Sequence, residues 1–218
     1  MKLLKDIPNS VLRGKSVLVR ADFNTEGHDS LRLVSSLPTL KKLIRAGAIT
    51  TIISHRGRPL GPNPKESLRS LLPKLKKHLG HPITFIPTFS FEKIREQISR
   101  ATPGSVFLLE NLRFDSGETK NERKFAKGLA SLGSLYVNEA FATSHRAHAS
   151  IATLPLLMPD RVAGFRFSEE IAQLDRATEG RRRPFVVILG GAKTKDKLGI
   201  IRHLIRSADV FLTGGKVA

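Results

Sequence analysis

Apolar positions along this chain fall into two alternating patterns. Short, near-continuous apolar or β-branched runs cover residues 16–20, 48–53, 83–86, 105–109, 135–137, 185–189 and 210–213. Between them lie longer stretches of helical periodicity at 32–46, 66–79, 91–100, 119–132, 168–177 and 195–207. Runs of three to six residues apolar on both sides are expected of parallel strands buried on both faces. Gly47 and Gly80 each follow a basic helical turn, where a left-handed C-cap is expected. Strand and helix in strict alternation predict an α/β fold, a doubly wound parallel sheet of Rossmann-like type. The rhythm breaks at 151–165, which carries Pro155, Pro159 and Gly164 and marks a domain boundary. The expected division is 1–165 as the first α/β domain, 166–182 as a connecting helix and 183–218 as the beginning of a second α/β domain.

Composition narrows the chemistry. The 218 residues are 40% hydrophobic, enough for a sizeable core. There is no cysteine, so disulfides, thiolate metal sites and thiol nucleophiles are excluded. The N-terminal MKLLKDIPNS has no apolar signal region, and no apolar run approaches the ~18–20 residues that span a bilayer. A cytoplasmic protein without a membrane partner is expected. The formal charge of +18, from 37 basic and 19 acidic residues, points to an anionic ligand. Nucleic acid is not the expected one. The bases are scattered, RRR at 181–183 and KLKK at 74–77 being the dense clusters, and with no Trp and one Tyr few aromatic rings could stack on bases.

Ligands of open α/β sheets sit beyond the carboxyl ends of the strands. There the first strand runs into Arg20, Asp22 and Asn24, and the second into Ser54-His55-Arg56-Gly57-Arg58. The fourth runs into Glu110-Asn111-Leu112-Arg113, and the fifth into Asn138-Glu139 followed by His145-Arg146-Ala147-His148. Four strand ends thus each bring an arginine to one rim, and the planar guanidinium fork suits carboxylate and phosphate oxygens. A small phosphorylated carboxylate is the ligand this predicts. His55, His145 and His148 match no zinc spacing and are flanked by arginines that would repel a cation, so no metal site is expected. Ser144-His145 are adjacent in the chain and do not form a nucleophile–base pair. Gly190-Gly191-Ala192-Lys193 lacks the spacing of a Walker loop but permits close approach of backbone to phosphate.

VLVRADFN, SHRGRP, LLENLRF, YVNEAFATSHRAHAS, VILGGAKTKDKLGII and LTGGKVA, in this order, resemble the successive signatures of phosphoglycerate kinases. Arg56 stands where the family pattern carries Leu, and Glu139, Ala142 and Ser144 where it carries Asp, Gly and Ala. The resemblance implies phosphoryl transfer between 1,3-bisphosphoglycerate and ADP, giving 3-phosphoglycerate and ATP with Mg, by two domains that bind phosphoglycerate and nucleotide. It implies a substrate site of Arg20, Asp22, Phe23, Asn24, Arg32, His55, Arg56, Gly57, Arg58, Arg113, His145 and Arg146. Arg32 would reach the transferred phosphoryl group and Lys193 would move with it. Gly191, Lys193, Lys197, Gly214 and Gly215 would contact the nucleotide. The family's acidic ribose contact and later Gly-rich phosphate loop are not found before residue 218, so a truncated second domain is expected, with most of the ATP/ADP and Mg surface lying outside the chain. The expected partner is 3-phosphoglycerate and the expected state a monomer. The readings weighed against this one are a non-catalytic anion-binding relative and a basic nucleic-acid-binding protein.

Overall fold

In the computed structural model, which describes residues 1–24, 31–178, 183–191 and 194–217, eight strands alternate with helices. The strands are β1 (Ser16–Arg20), β2 (Ile49–Ile53), β3 (Thr84–Ile86), β4 (Val106–Leu109), β5 (Leu135–Asn138), β6 (Asp160–Ala163), β7 (Val186–Leu189) and β8 (Val210–Thr213). The helices are α1 (Asn9–Leu12), α2 (Leu31–Ser35), α3 (Leu37–Arg45), α4 (Leu72–Leu79) and α5 (Phe91–Ser99), followed by α6 (Ser116–Thr119), α7 (Arg123–Ala130), α8 (Leu154–Leu157), α9 (Phe165–Thr178) and α10 (Thr194–Leu204). The chain divides into two compact units, Met1–Ser168 and Glu169–Ala218. No helix among the described residues is long and apolar enough to cross a membrane.

The first unit is a six-stranded, wholly parallel sheet in the order β3-β4-β2-β1-β5-β6. Side chains alternate across a strand, and both sets here are apolar. Val17 and Val19 join one core with Leu135, Val137, Val106 and Leu108, beneath Leu12, Leu33, Leu40, Leu43, Leu68 and Leu75. Leu18 joins the other with Tyr136, Phe107 and Leu109, beneath Ile94, Ile98, Phe125, Leu129 and Leu154. Helices therefore cover both faces, and the sheet is doubly wound as the continuous apolar runs predict. Gly47 and Gly80 have φ of 72° and 60°, closing α3 and α4 with the left-handed caps expected of them.

The segment 151–165 holds more than a connection. β6 lies within it and pairs with β5 in register Leu135↔Asp160 through Asn138↔Ala163. It forms the outer strand, its N-terminal half polar and only Val162 and Ala163 buried, so it has no continuous apolar run. The pattern at 66–79 is also divided: two 3-10 turns, Pro64–Glu66 and Leu68–Leu71, precede α4. Pro64 and Pro73 each open a new segment, because proline supplies no amide to a preceding helical turn.

β1 is flanked by β2 and β5, so the chain departs in opposite directions on its two sides. That is a topological switch point, where strand connections diverge and leave a crevice beyond the carboxyl ends. The paired ends Arg20↔Ile53 and Arg20↔Asn138 lie level there.

In the second unit, β7 and β8 pair in parallel from Val186↔Val210 to Leu189↔Thr213. The Asp209 carboxylate accepts from the Phe185 amide at 2.7 Å and is ion-paired with Arg183.

Candidate anion site at the switch point

The loops beyond the strand ends are pinned to one another by short polar side chains. Ser54 Oγ donates to Ala21 O at 2.8 Å and accepts from the Phe23 amide at 2.9 Å, tying the ends of β1 and β2. Asn24 Oδ1 accepts from Gly57 N at 2.8 Å. Asn111 accepts from the amides of Arg56 at 3.2 Å and Arg113 at 3.1 Å, and donates to Arg56 O and Glu66 O. Gly57 has a φ of 60°, and a Cβ there would sit 1.6 Å from Glu66 Oε1. That carboxylate accepts from the Arg58 amide at 3.2 Å, so only glycine lets it close over the loop.

These loops bring Arg58, Arg113, His145 and Arg146 around one cleft of about 680 Å³, with Thr119 and His148. Arg113 is almost wholly buried and is held by its guanidinium donating to Gly57 O. Burial, then the neighbouring Arg146 and Arg20, lower its pKa from 12.5 to about 10. Three buried donor positions, His55 Nε2, Arg113 Nε and Arg146 Nε, have no acceptor among the described residues. Unmet buried donors beside clustered guanidinium groups are what an anion's oxygens satisfy.

Arg20 lies behind this surface, fully buried. Its Nε donates to Ser150 Oγ at 2.7 Å and one terminal nitrogen to Ala21 O at 2.5 Å, while the other faces His55 Nδ1 at 3.2 Å. A guanidinium only donates, so His55 Nδ1 must accept and its ring proton sits on Nε2. Burial first, and then Arg20, Arg113 and Arg146, push the His55 pKa far below the usual imidazole range. His55 is therefore a neutral Nε2–H donor rather than a cation. Burial also lowers the pKa of His148, with Glu118 opposing the shift.

The remaining predicted residues occupy the rim or the strand ends. Phe23 is fully buried beneath it, and Asn24 N donates to Asp22 Oδ1 at 3.0 Å. The largely buried Asp22 carboxylate is ion-paired with Arg32, which is about half exposed at 45%. Arg56 turns away, its guanidinium donating to Ser70 Oγ at 2.7 Å. In the second unit Gly191 and Gly215 approach each other, a Cβ on Gly215 lying 3.7 Å from Gly191 O, while Gly214 N donates to Leu189 O at 2.9 Å. Lys193 lies outside the described residues, as does the side chain of Lys197. A second groove of about 540 Å³ follows β6, along Lys2, Asp160, Arg161 and Val162, and includes none of the predicted residues.

A model of the phosphoglycerate kinase family matches residues 4–218. The chain belongs to the phosphoglycerate kinase family. It is 46% identical over 210 residues to the phosphoglycerate kinase of Thermosipho africanus, covering 94% of this chain and 52% of that one. It is 42% identical to that of Dictyoglomus turgidum, covering 98% and 55%. The structure of the Pyrococcus horikoshii phosphoglycerate kinase superposes with a TM-score of 0.86 at 32% identity, covering 100% of this chain and 56% of that one. That of the Coxiella burnetii kinase gives 0.85 at 31% identity. This chain spans about half the length of the curated relatives it matches.

Residue types at strand ends pointed to Arg58, Arg113, His145 and Arg146, and the fold gathers all four at this cleft. Three residues at or beneath it escaped the sequence reading: Thr119 on the surface, Glu118 and Ser150 below. His148 falls beyond the fifth strand in that reading, which weighs it as a metal ligand and gives it no part in the anion site. Among the described residues no three His, Asp or Glu side chains form a metal-holding group. Glu118 follows no strand, and in GETKNERK it resembles a solvated helical acid.

Proposed function

We propose that the first unit carries the 3-phosphoglycerate site of a phosphoglycerate kinase. The complete enzyme would transfer a phosphoryl group between 1,3-bisphosphoglycerate and ADP, forming 3-phosphoglycerate and ATP. The carrying observation is the cleft in which Arg58, Arg113 and Arg146 converge at the switch point, with buried donors lacking acceptors. A carboxylate and a phosphate on one small molecule match a cleft lined by three guanidinium groups. Phosphoryl transfer needs chiefly positioning and neutralisation of spread negative charge. In this reading His55 donates from Nε2 to the glycerate end, Asp22 and Asn24 hold its hydroxyl side, and Arg32 leaves Asp22 to meet the transferred phosphoryl group. Gly191, Gly214 and Gly215, with Lys193 and Lys197, would face the nucleotide. No residue is assigned to the Mg that accompanies ATP or ADP, an ion usually held by one or two carboxylates together with the nucleotide phosphates.

Calorimetric titration with 3-phosphoglycerate tests the site. Binding is expected to saturate at one equivalent, and Arg113→Ala or Arg146→Ala to raise Kd by about tenfold or more, the loss of a charge-assisted contact. No binding to the intact chain, or binding that both variants leave unchanged, overturns the proposal.

A further inference from the structure

Below the cleft lies a closed chain of polar groups. Glu118 in α6 is fully buried, and its neighbour Thr119 lines the cleft above it. Its Oε1 accepts from Ser150 Oγ at 2.6 Å and its Oε2 from Ser150 N at 2.9 Å. Ser150 Oγ in turn accepts from Arg20 Nε, and Ser150 O accepts from the hydroxyl of buried Tyr136 at 2.9 Å. Glu118 Oε1 also stands 3.9 Å from an Arg20 terminal nitrogen and 3.9 Å from His148 Nδ1. Among the described residues it is the carboxylate paired with both. Removing a guanidinium from water costs several kcal/mol unless it is paired and its donors are satisfied, and Glu118 with Ser150 supplies both. Arg20 fixed in this way holds His55 Nδ1, which leaves the Nε2–H as the ring donor without a partner among the described residues.

We propose that Glu118 is a positioning residue of the anion site, acting through Ser150 and Arg20 on His55 and directly on His148, without touching the ligand itself. The inference rests on the reading of the cleft as the phosphoglycerate site. It has a consequence of unusual sign. A carboxylate near a pocket for a multiply charged anion weakens binding by charge alone, since it lowers the local positive potential. If its charge were all that mattered, neutralising it would tighten binding. A positioning role predicts the reverse.

Two variants separate these effects. Glu118→Gln removes the charge, and Ser150→Ala breaks the link to Arg20 while leaving every charge in place. Both are expected to raise the 3-phosphoglycerate Kd on the order of tenfold, the scale of one hydrogen bond to a charged group. The NMR titration of His148 should move to lower pH in Glu118→Gln and stay in place in Ser150→Ala, a distinction that a merely structural loss would not produce. If Glu118→Gln does not fold, judged by circular dichroism and the fluorescence of the single tyrosine, Ser150→Ala carries the binding test alone. Binding by folded variants equal to or tighter than that of the unaltered chain overturns the role of Glu118. Such a result, with Arg113→Ala still weakened, would leave the site reading intact; no binding by the unaltered chain would instead remove that reading.

Discussion

Glu139 offers a test whose magnitude follows from the structure. It stands just beyond β5, only 4% exposed, and accepts from the Arg166 amide at 2.8 Å. Thr39 Oγ1 accepts from the adjacent Phe165 amide at 2.9 Å. The first turn of α9 is thus capped by side chains borrowed from two other elements, which meets the need of free N-terminal amides for acceptors. Gly164 makes room, since a Cβ there would lie 1.6 Å from Glu139 Oε2. That oxygen has no partner among the described residues. Burial raises the Glu139 pKa from 4.5 to about 7, against the opposing hydrogen bonds from Arg166, Thr39 and Phe167 and the Arg166 charge. A raised carboxyl pKa means that the folded state binds the proton more tightly than the unfolded one between these two values. The contribution to stability is therefore fully present below 4.5 and lost as pH rises to about 7, a total of about 3 kcal/mol at ~1.4 kcal/mol per unit. Glu139→Gln keeps an acceptor for Arg166 N and is neutral at every pH. Urea unfolding followed by Tyr136 fluorescence, which reports the first unit, would be compared for both proteins from about pH 5 to 8. The glutamine variant should gain on the parent by about 2–3 kcal/mol across that range. A stability difference that does not change with pH refutes the reasoning, because a lost or gained hydrogen bond alone has no such slope.

Two further outcomes follow from the site geometry. The NMR signal of the His55 ring should show no titration from about pH 8 down to 5, because burial and three arginines hold it neutral. Its lowered folded pKa means that stability is retained above about 6.5 and lost below it at ~1.4 kcal/mol per pH unit; a ring titrating near 6.5 would exclude the Nε2–H assignment. Gly57→Ala should lower stability by about 1 kcal/mol, the cost of a side chain at positive φ. It should also raise the 3-phosphoglycerate Kd severalfold by driving Glu66 off the Arg58 amide, so unchanged affinity would exclude that role for the loop.

What the sequence reveals divides by the kind of signal each residue carries. β1, β2, β4 and β5 were legible because both faces of each are buried, so burial writes itself as a continuous apolar run. β6 was hidden because an outer strand of sequence DRVA needs apolar side chains over only half its length. The cleft arginines were legible by position alone, each falling just past a strand end. Arg20 has the same signature and a different environment: its guanidinium is fully buried, which depends on Ser150 and Glu118, distant from it in the chain. No local pattern encodes such a pairing, and an acid buried by tertiary contact looks like any helical surface acid.

The partners of each arginine explain how the pocket stays positive although it is built from groups that repel one another. Pairing every guanidinium with a carboxylate would give stability and cancel the field an anion needs. Arg113 is anchored on a carbonyl oxygen, Gly57 O, which fixes its position without neutralising its charge. Among the described residues, the arginines of the site that pair with a carboxylate lie at its margins: Arg20 with Glu118 beneath it, and half-exposed Arg32 with Asp22 at its edge. The carboxylate beneath is fixed by two hydrogen bonds from Ser150, whereas the pair at the edge is open to water on its Arg32 side. On the proposed reading, the ligand phosphoryl group takes Arg32 from Asp22, whose Oδ1 keeps the hydrogen bond from Asn24 N, while Arg20 stays in place. On that reading, the deep pair holds the framework and the shallower one releases a cation.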